Sequence, residues 1–212
     1  MSKALFALPI LSLALIAAKP APVAPPAPLI LVAPAALAAD PANRLTLELS
    51  TGGKVVIQLR PDAAPAHVER VRTLVGQGFY NGTPFHRVIP GFMAQGGDPT
   101  GKGEGGSPLP DLKAEFNSLP HLRGTVSAAR TGAPDTANSQ FYIMFAPRVS
   151  LDYKYTVFGR VIEGMAAVDA IAVGEPPAEP TRIVRASLGG AVATERPAAP
   201  VDQPAPAAPS GG

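Results

Sequence analysis

The chain contains no cysteine among its 212 residues, which excludes a disulfide framework and any thiolate metal site. Tryptophan is also absent. Charge is sparse: 18 Lys and Arg against 16 Asp and Glu leave a formal +2, and the basic residues form no run. A nucleic-acid surface shows a clustered basic stripe, so nucleic acid is not an expected partner. The histidines, His67, His86 and His121, have no carboxylate-rich spacing around them. No metal site is therefore expected, nor does any segment call for a cofactor. His86 reads instead as a structural residue with its hydrogen bonds satisfied. The apolar stretch from Ala4 to Ala18, broken by Pro9 and Ser12, is short for a membrane span.

Proline is abundant, with 26 residues, and so is glycine, with 21. Half of the prolines lie near the ends, 8 in residues 1–41 and 5 in residues 191–212. Lys3 followed by the stretch from Ala4 to Ala18 reads as a secretory signal. Ala36-Leu37-Ala38 fits a small-x-small cleavage site, which puts the mature start near Ala39 or Asp40. Residues 1–39 are thus read as a signal with a Pro/Ala-rich extension. The expected location is the periplasm, with no stable membrane insertion after cleavage. An N-terminal anchor facing the periplasm is the alternative. Residues 191–212, mostly Ala, Pro and Gly, cannot bury enough apolar surface to offset their ordering entropy and read as a disordered tail. Residues 40–190 remain as one folded domain.

Within that domain, Leu45, Leu47 and Leu49, then Val55, Ile57 and Leu59, recur at every second position around Thr51-Gly52-Gly53, the signature of a hairpin. Val68, Val71, Leu74 and Val75 repeat at helical spacing behind Pro65, which a first helical turn accepts, and Gly76 and Gly78 end the run. Residues 96–120 are Gly- and Pro-rich and predict a long loop. Short buried strands are expected at 125–129, 140–145 and 156–161, a short helix at 165–171, and a closing strand at 182–188. Many short strands with two helices argue for a closed barrel or a sandwich capped by helices. Phe85, Val88, Ile89, Val126 and Phe141 are the expected core.

Two glycine patterns in the loop invite a nucleotide reading. Residues 101–106 satisfy G-x-G-x-x-G, and residues 96–102 satisfy G-x-x-x-x-G-K, although Gly103 stands where Ser or Thr is required. Both patterns need a helix to begin immediately, so that its N-terminus can hold phosphate. Ser107-Pro108-Leu109-Pro110 follows instead and opposes helix propagation.

The run Phe85-His86-Arg87-Val88-Ile89-Pro90-Gly91-Phe92-Met93, followed by Gln95-Gly96-Gly97-Asp98, resembles the signature of the cyclophilin family of peptidyl-prolyl cis-trans isomerases. Asn138-Ser139-Gln140-Phe141-Tyr142-Ile143 and Val157-Phe158-Gly159-Arg160-Val161 are similar to later family motifs, in order and at family spacing. The likeness covers roughly residues 44–190. It implies a mainly β fold: a closed eight-stranded antiparallel barrel capped by two helices, with a substrate groove on its outer face. It implies proline-containing, unfolded or partly folded polypeptides as partners, and a monomer.

The resemblance also implies roles. Phe92, Met93, Tyr142 and Leu151 would line a slot for the proline ring. Gln95 and Gln140 would hold the substrate backbone, and Ala129 would shape the neighbouring pocket. Arg87 would be the catalytic residue. Rotation about a peptide bond faces a barrier of about 18–20 kcal/mol because resonance gives C–N double-bond character. At X-Pro the two isomers lie close in energy but exchange slowly. In the twisted state the prolyl nitrogen regains a lone pair, and an always-charged, donor-rich arginine aimed at it supplies preorganised stabilisation without nucleophile or acid-base pair. Three positions depart from the usual family pattern. Tyr142 stands for Phe, keeping the ring and adding a hydroxyl. Tyr155 stands where His is frequent, and is still assigned to the substrate site. Ser150 stands where many members carry a Trp that favours cyclosporin, so weak cyclosporin binding is expected. A proline-peptide-binding chaperone or scaffold module without turnover is the alternative on the same fold.

Overall fold

The computed structural model describes residues 31–189. The expected signal segment up to residue 30 and the expected tail, 191–212, lie outside the described residues. Eight strands make one antiparallel sheet: β1 (Arg44–Leu49), β2 (Lys54–Leu59), β3 (Arg87–Ile89), β4 (Met93–Gly96), β5 (Thr125–Ala128), β6 (Phe141–Met144), β7 (Val157–Glu163) and β8 (Ile183–Leu188). Their order is β3-β4-β6-β5-β7-β2-β1-β8. The residues leading into β3 close the ring onto β8. Gly82 N donates to Ile183 O at 2.7 Å, Ile183 N to Thr83 O at 2.9 Å, and Phe85 N to Thr181 O at 2.9 Å. Closure leaves no long edge with unpaired backbone groups.

The alternation in β1 and β2 does what period two requires: Leu45, Leu47, Leu49, Val55, Ile57 and Leu59 all enter the barrel core. Phe85 is fully buried there and meets Phe141 edge-on, with ring centroids 6.1 Å apart. The long helix α2 (Pro65–Gly76) buries Val68, Val71, Leu74 and Val75. Its first turn has no capping side chain of its own. Glu115, arriving from the long loop, accepts from Ala66 N at 3.1 Å and His67 N at 3.0 Å, satisfying the orphan donors and meeting the positive end of the helix.

A short helix, α3 (Met165–Asp169), lies over β2. A further helical turn that the sequence reading did not anticipate, α1 (Ala35–Ala39), precedes the barrel. Asn43 and Gln58 donate to Leu37 O at 3.1 and 3.3 Å, and Arg44 donates to Ala38 O at 2.8 Å. The start expected at Ala39 or Asp40 falls at the end of this docked turn. Among the described residues, no helix is long and apolar enough to cross a membrane.

The recognition motif itself folds as a hairpin. Pro90 and Gly91 occupy the centre of the turn, Phe92 N donates to Ile89 O at 3.1 Å, and Gly91 takes φ +66°. This is a proline-glycine turn of type II, whose third position favours glycine. Neither β3 nor β4 was legible from periodicity, because runs of three and four residues are too short to show one.

Candidate functional site

Strand pairing decides which motif residues point outward. Val88, Ala94, Ile143 and Val126 form one cross-strand row and enter the core. The neighbouring rows must then face out. They are Arg87, Gln95, Tyr142 and Ser127, and beside them Ile89, Met93 and Met144. Ile89 was expected in the barrel core. It lies instead on the outer face and packs against the cluster of Met93, Ala129, Tyr142 and Met144, because it is two residues from Arg87.

A slot of about 130 Å³ opens on this outer face, lined by Arg87, Phe92, Met93, Gln95, Ala129, Arg130, Tyr142, Leu151 and Tyr155. Eight of the nine residues singled out from sequence meet there. The ninth, Gln140, lines an adjoining pocket of about 550 Å³ that shares Gln95, Ala129 and Arg130 with the slot. The two glutamines are coupled. Gln95 Nε2 donates to Gln140 Oε1 at 2.9 Å, and Gln140 Nε2 donates to Gly103 O and Gly105 O at 2.9 and 2.8 Å.

The wall of the adjoining pocket is the glycine-rich loop, whose backbone N–H groups converge on one carboxylate. Asp98 is fully buried and accepts from Thr100 N at 2.7 Å, Lys102 N at 3.1 Å, Gly103 N at 2.6 Å and Gly105 N at 3.2 Å. The backbone donors of the nucleotide-like pattern are therefore spent on an internal anion. Burial works to raise the Asp98 pKa, but the bonds from Thr100, Gly105 and Gly103 outweigh it and hold the carboxyl below its ordinary 3.8.

Tyr142 gives its ring to the slot and its hydroxyl to the layer beneath. The oxygen lies 3.2 Å from His121 Nε2, which also meets Ser127 Oγ at 3.1 Å. His121 Nδ1 is 2.9 Å from Asp152 Oδ1, which accepts from His121 N at 2.8 Å. With the carboxylate fixing the proton on Nδ1, Nε2 is the acceptor facing both hydroxyls. Burial lowers the His121 pKa against the opposing pull of Asp152, and burial likewise pushes the Tyr142 phenol above its ordinary value. The Tyr155 ring meets Tyr142 edge-on at 5.8 Å.

Sequence reasoning missed four residues at or beneath the slot. Arg130 joins the slot to the pocket: its guanidinium lies 4.5 Å from the Tyr155 ring centroid and donates to Thr131 O and Lys154 O, each at 2.8 Å. Asp152 and His121 form the layer under Tyr142. Glu175 reaches Arg87 from a distant loop, its Oε2 2.7 Å from Nε. A lone Arg, Asp, His or Glu carries no local pattern, so only a surrounding motif could have marked it, and these four lie in none.

His86, expected to be satisfied, is buried with neither ring nitrogen hydrogen-bonded among the described residues. Burial lowers its pKa, with Asp98 opposing. Among the described residues no cluster of three His, Asp or Glu side chains could hold a metal ion.

The family model for cyclophilin type peptidyl-prolyl cis-trans isomerases matches residues 44–188, the whole barrel. The chain belongs to the cyclophilin family. A probable peptidyl-prolyl cis-trans isomerase of Brucella suis is 47% identical over 169 residues, covering 72% of this chain and 86% of the relative. A peptidyl-prolyl cis-trans isomerase of Schizosaccharomyces pombe is 38% identical, covering 66% of this chain and 96% of the relative. The crystal structure of a cyclophilin from Hirschia baltica superposes with a TM-score of 0.65 at 32% identity, covering 70% of this chain and 74% of that one. A Cryptosporidium parvum cyclophilin, determined in the presence of the dipeptide Ala-Pro, gives 0.65 at 26% identity, covering 70% and 99%. In this cyclophilin, then, the slot stands on the outer face of β3-β4-β6-β5, with Arg87 at its rim.

Proposed function

We propose that this cyclophilin accelerates isomerisation of X-Pro bonds in unfolded or partly folded polypeptides, with Arg87 stabilising the twisted prolyl amide. One observation carries the reading. Arg87 lines a small, mostly apolar slot, and its two terminal nitrogens have no hydrogen-bond partner among the described residues. A proline ring seated against Phe92, Met93, Tyr142 and Leu151 brings its nitrogen to that unspent donor edge. Gln95 and Gln140 are placed to hold the flanking backbone, and Tyr155 closes the slot. The twisted amide needs only a donor and exclusion of water, so preorganised electrostatics suffices.

The test is a proline-limited refolding assay with wild type and Arg87→Ala. Removing one preorganised donor is expected to lower kcat/KM by about 10²–10³-fold. Equal acceleration by the two proteins would refute the role of Arg87. Peptide binding by both with acceleration by neither would establish a binding module instead. The apolar stretch after Lys3 supports export to the periplasm. Mass spectrometry of the mature N-terminus checks this, and a start at Met1 or Ser2 in the cytosol would refute it.

A further inference from the structure

We infer that Glu175 is a positioning residue for Arg87, holding the guanidinium by Nε so that its two terminal nitrogens face the prolyl amide; the inference rests on the catalytic role proposed for Arg87. The loop between α3 and β8 is built to deliver this carboxylate. Val88 N donates to Gly174 O at 2.8 Å and Gly174 N returns a bond to Val88 O at 3.1 Å, pinning the loop one residue from Arg87. Gly174 sits at φ +148°, and a Cβ there would lie 2.5 Å from Pro177 Cα. Only glycine fits, so the next residue has one place to go. Glu175 Oε2 then stands 2.7 Å from Arg87 Nε.

The choice of nitrogen matters. A guanidinium is a rigid planar fork on a long rotatable stem. A carboxylate engaging Nε alone fixes the fork's orientation and leaves the far edge unspent. Gln95, across the strand pair, makes no hydrogen bond with Arg87 among the described residues; its Nε2 donates to Gln140 Oε1. The surrounding charge also needs an answer. Arg87 shares a cavity of about 660 Å³ with His86, Lys102 and Arg130, and among the described residues Glu175 is the only acidic one lining it. Without it, no carboxylate lining this cavity offsets Lys102 and Arg130. The pair is half-exposed, at 42% and 51% of the side-chain surface. Exposed pairs add little to stability, so its consequence falls on orientation rather than on folding.

The experiment measures kcat and KM of the full chain on an X-Pro peptide, with binding of the dipeptide Ala-Pro as a ground-state control. The variants are Glu175→Ala, Glu175→Gln, Arg87→Ala and the double variant Arg87→Ala/Glu175→Ala. Glu175→Ala is expected to lower kcat roughly ten-fold while KM and dipeptide affinity stay within about two-fold, the split that a misaimed transition-state donor produces. Glu175→Gln should recover most of the loss, because its amide oxygen still accepts from Nε–H. In the Arg87→Ala background the Glu175→Ala effect should vanish, since the two act through one contact. Wild-type or raised kcat in Glu175→Ala, equal loss in Glu175→Gln, or the same loss without Arg87 would each overturn the positioning role while leaving Arg87's own role standing. Full activity in Arg87→Ala would overturn the parent reading itself.

Discussion

Tyr142 shows how one added oxygen ties the wall of the slot to the layer below it. Its ring faces the slot, while its hydroxyl joins His121 and, through that imidazole, Asp152. Phenylalanine at this position would keep the slot and leave His121 Nε2 with Ser127 as its remaining hydroxyl. Tyr142→Phe is therefore expected to lower stability by about 0.5–1.5 kcal/mol, the net value of one buried hydrogen bond, with kcat/KM little changed. Denaturant unfolding beside a peptide assay checks both, and a large loss of activity at unchanged stability would contradict the division of labour. Ser150, exposed on the turn before Leu151, offers no aromatic surface where family members carry Trp. Calorimetric titration should give weak cyclosporin binding, and nanomolar affinity would contradict this.

At the scale of elements, the glycine-rich loop is the least conventional part of the barrel and the best explained. It has no regular secondary structure, yet its backbone N–H groups converge on the Asp98 carboxylate, a concave anion site made by successive donors. Asparagine there would remove the charge and turn an amide NH₂ toward those donors. Asp98→Asn is expected to lose about 3 kcal/mol and to speed hydrogen exchange at Gly103 and Gly105 before the barrel strands respond. Unchanged exchange at those glycines would show that the loop is held by other means. The depressed Asp98 pKa has a definite sign. Its stabilisation is present above the ordinary carboxylate value of 3.8 and is lost as pH falls below it toward the folded pKa.

For the molecule as a whole, the histidines set the response to mild acid. His67, His86 and His121 are all buried, and in each burial is the largest cause holding the pKa below 6.5. Glu115 opposes the shift at His67, Asp98 opposes it at His86, and Asp152 opposes it at His121. The unfolded chain thus takes up protons near pH 6.5 that the fold resists, so stability is full above that pH and declines as pH drops below it. If all three rings stay neutral in the fold, the limiting slope is about 4 kcal/mol per pH unit. Equilibrium unfolding at pH 7 and pH 5.5 should show the fall. A flat profile would mean that the partners, not burial, control the rings.

The barrel was legible in the chain because long strands announce themselves: three leucines in β1 and three branched or aliphatic residues in β2 fix their inward face by period two. Helix α2 was legible for the corresponding reason at 3.6 residues per turn. The slot was legible because the motif carries Arg87, Phe92, Met93 and Gln95 within one short run, and the later motif adds Gln140 and Tyr142. Which face those residues occupy was not legible, and Ile89 shows why. In a three-residue strand, inside and outside differ by a single position, and only pairing with β4 assigns it. The Asp98 nest, the His121–Asp152 layer and the hold of Glu175 on Arg87 join residues separated by up to 88 positions. Such contacts leave no periodicity behind, and the last exists only once the fold brings the loop between α3 and β8 against β3. The sequence by itself determined the barrel and which residues line most of the slot, whereas tertiary structure alone decided which carboxylate meets the arginine at its rim, because that contact spans 88 positions.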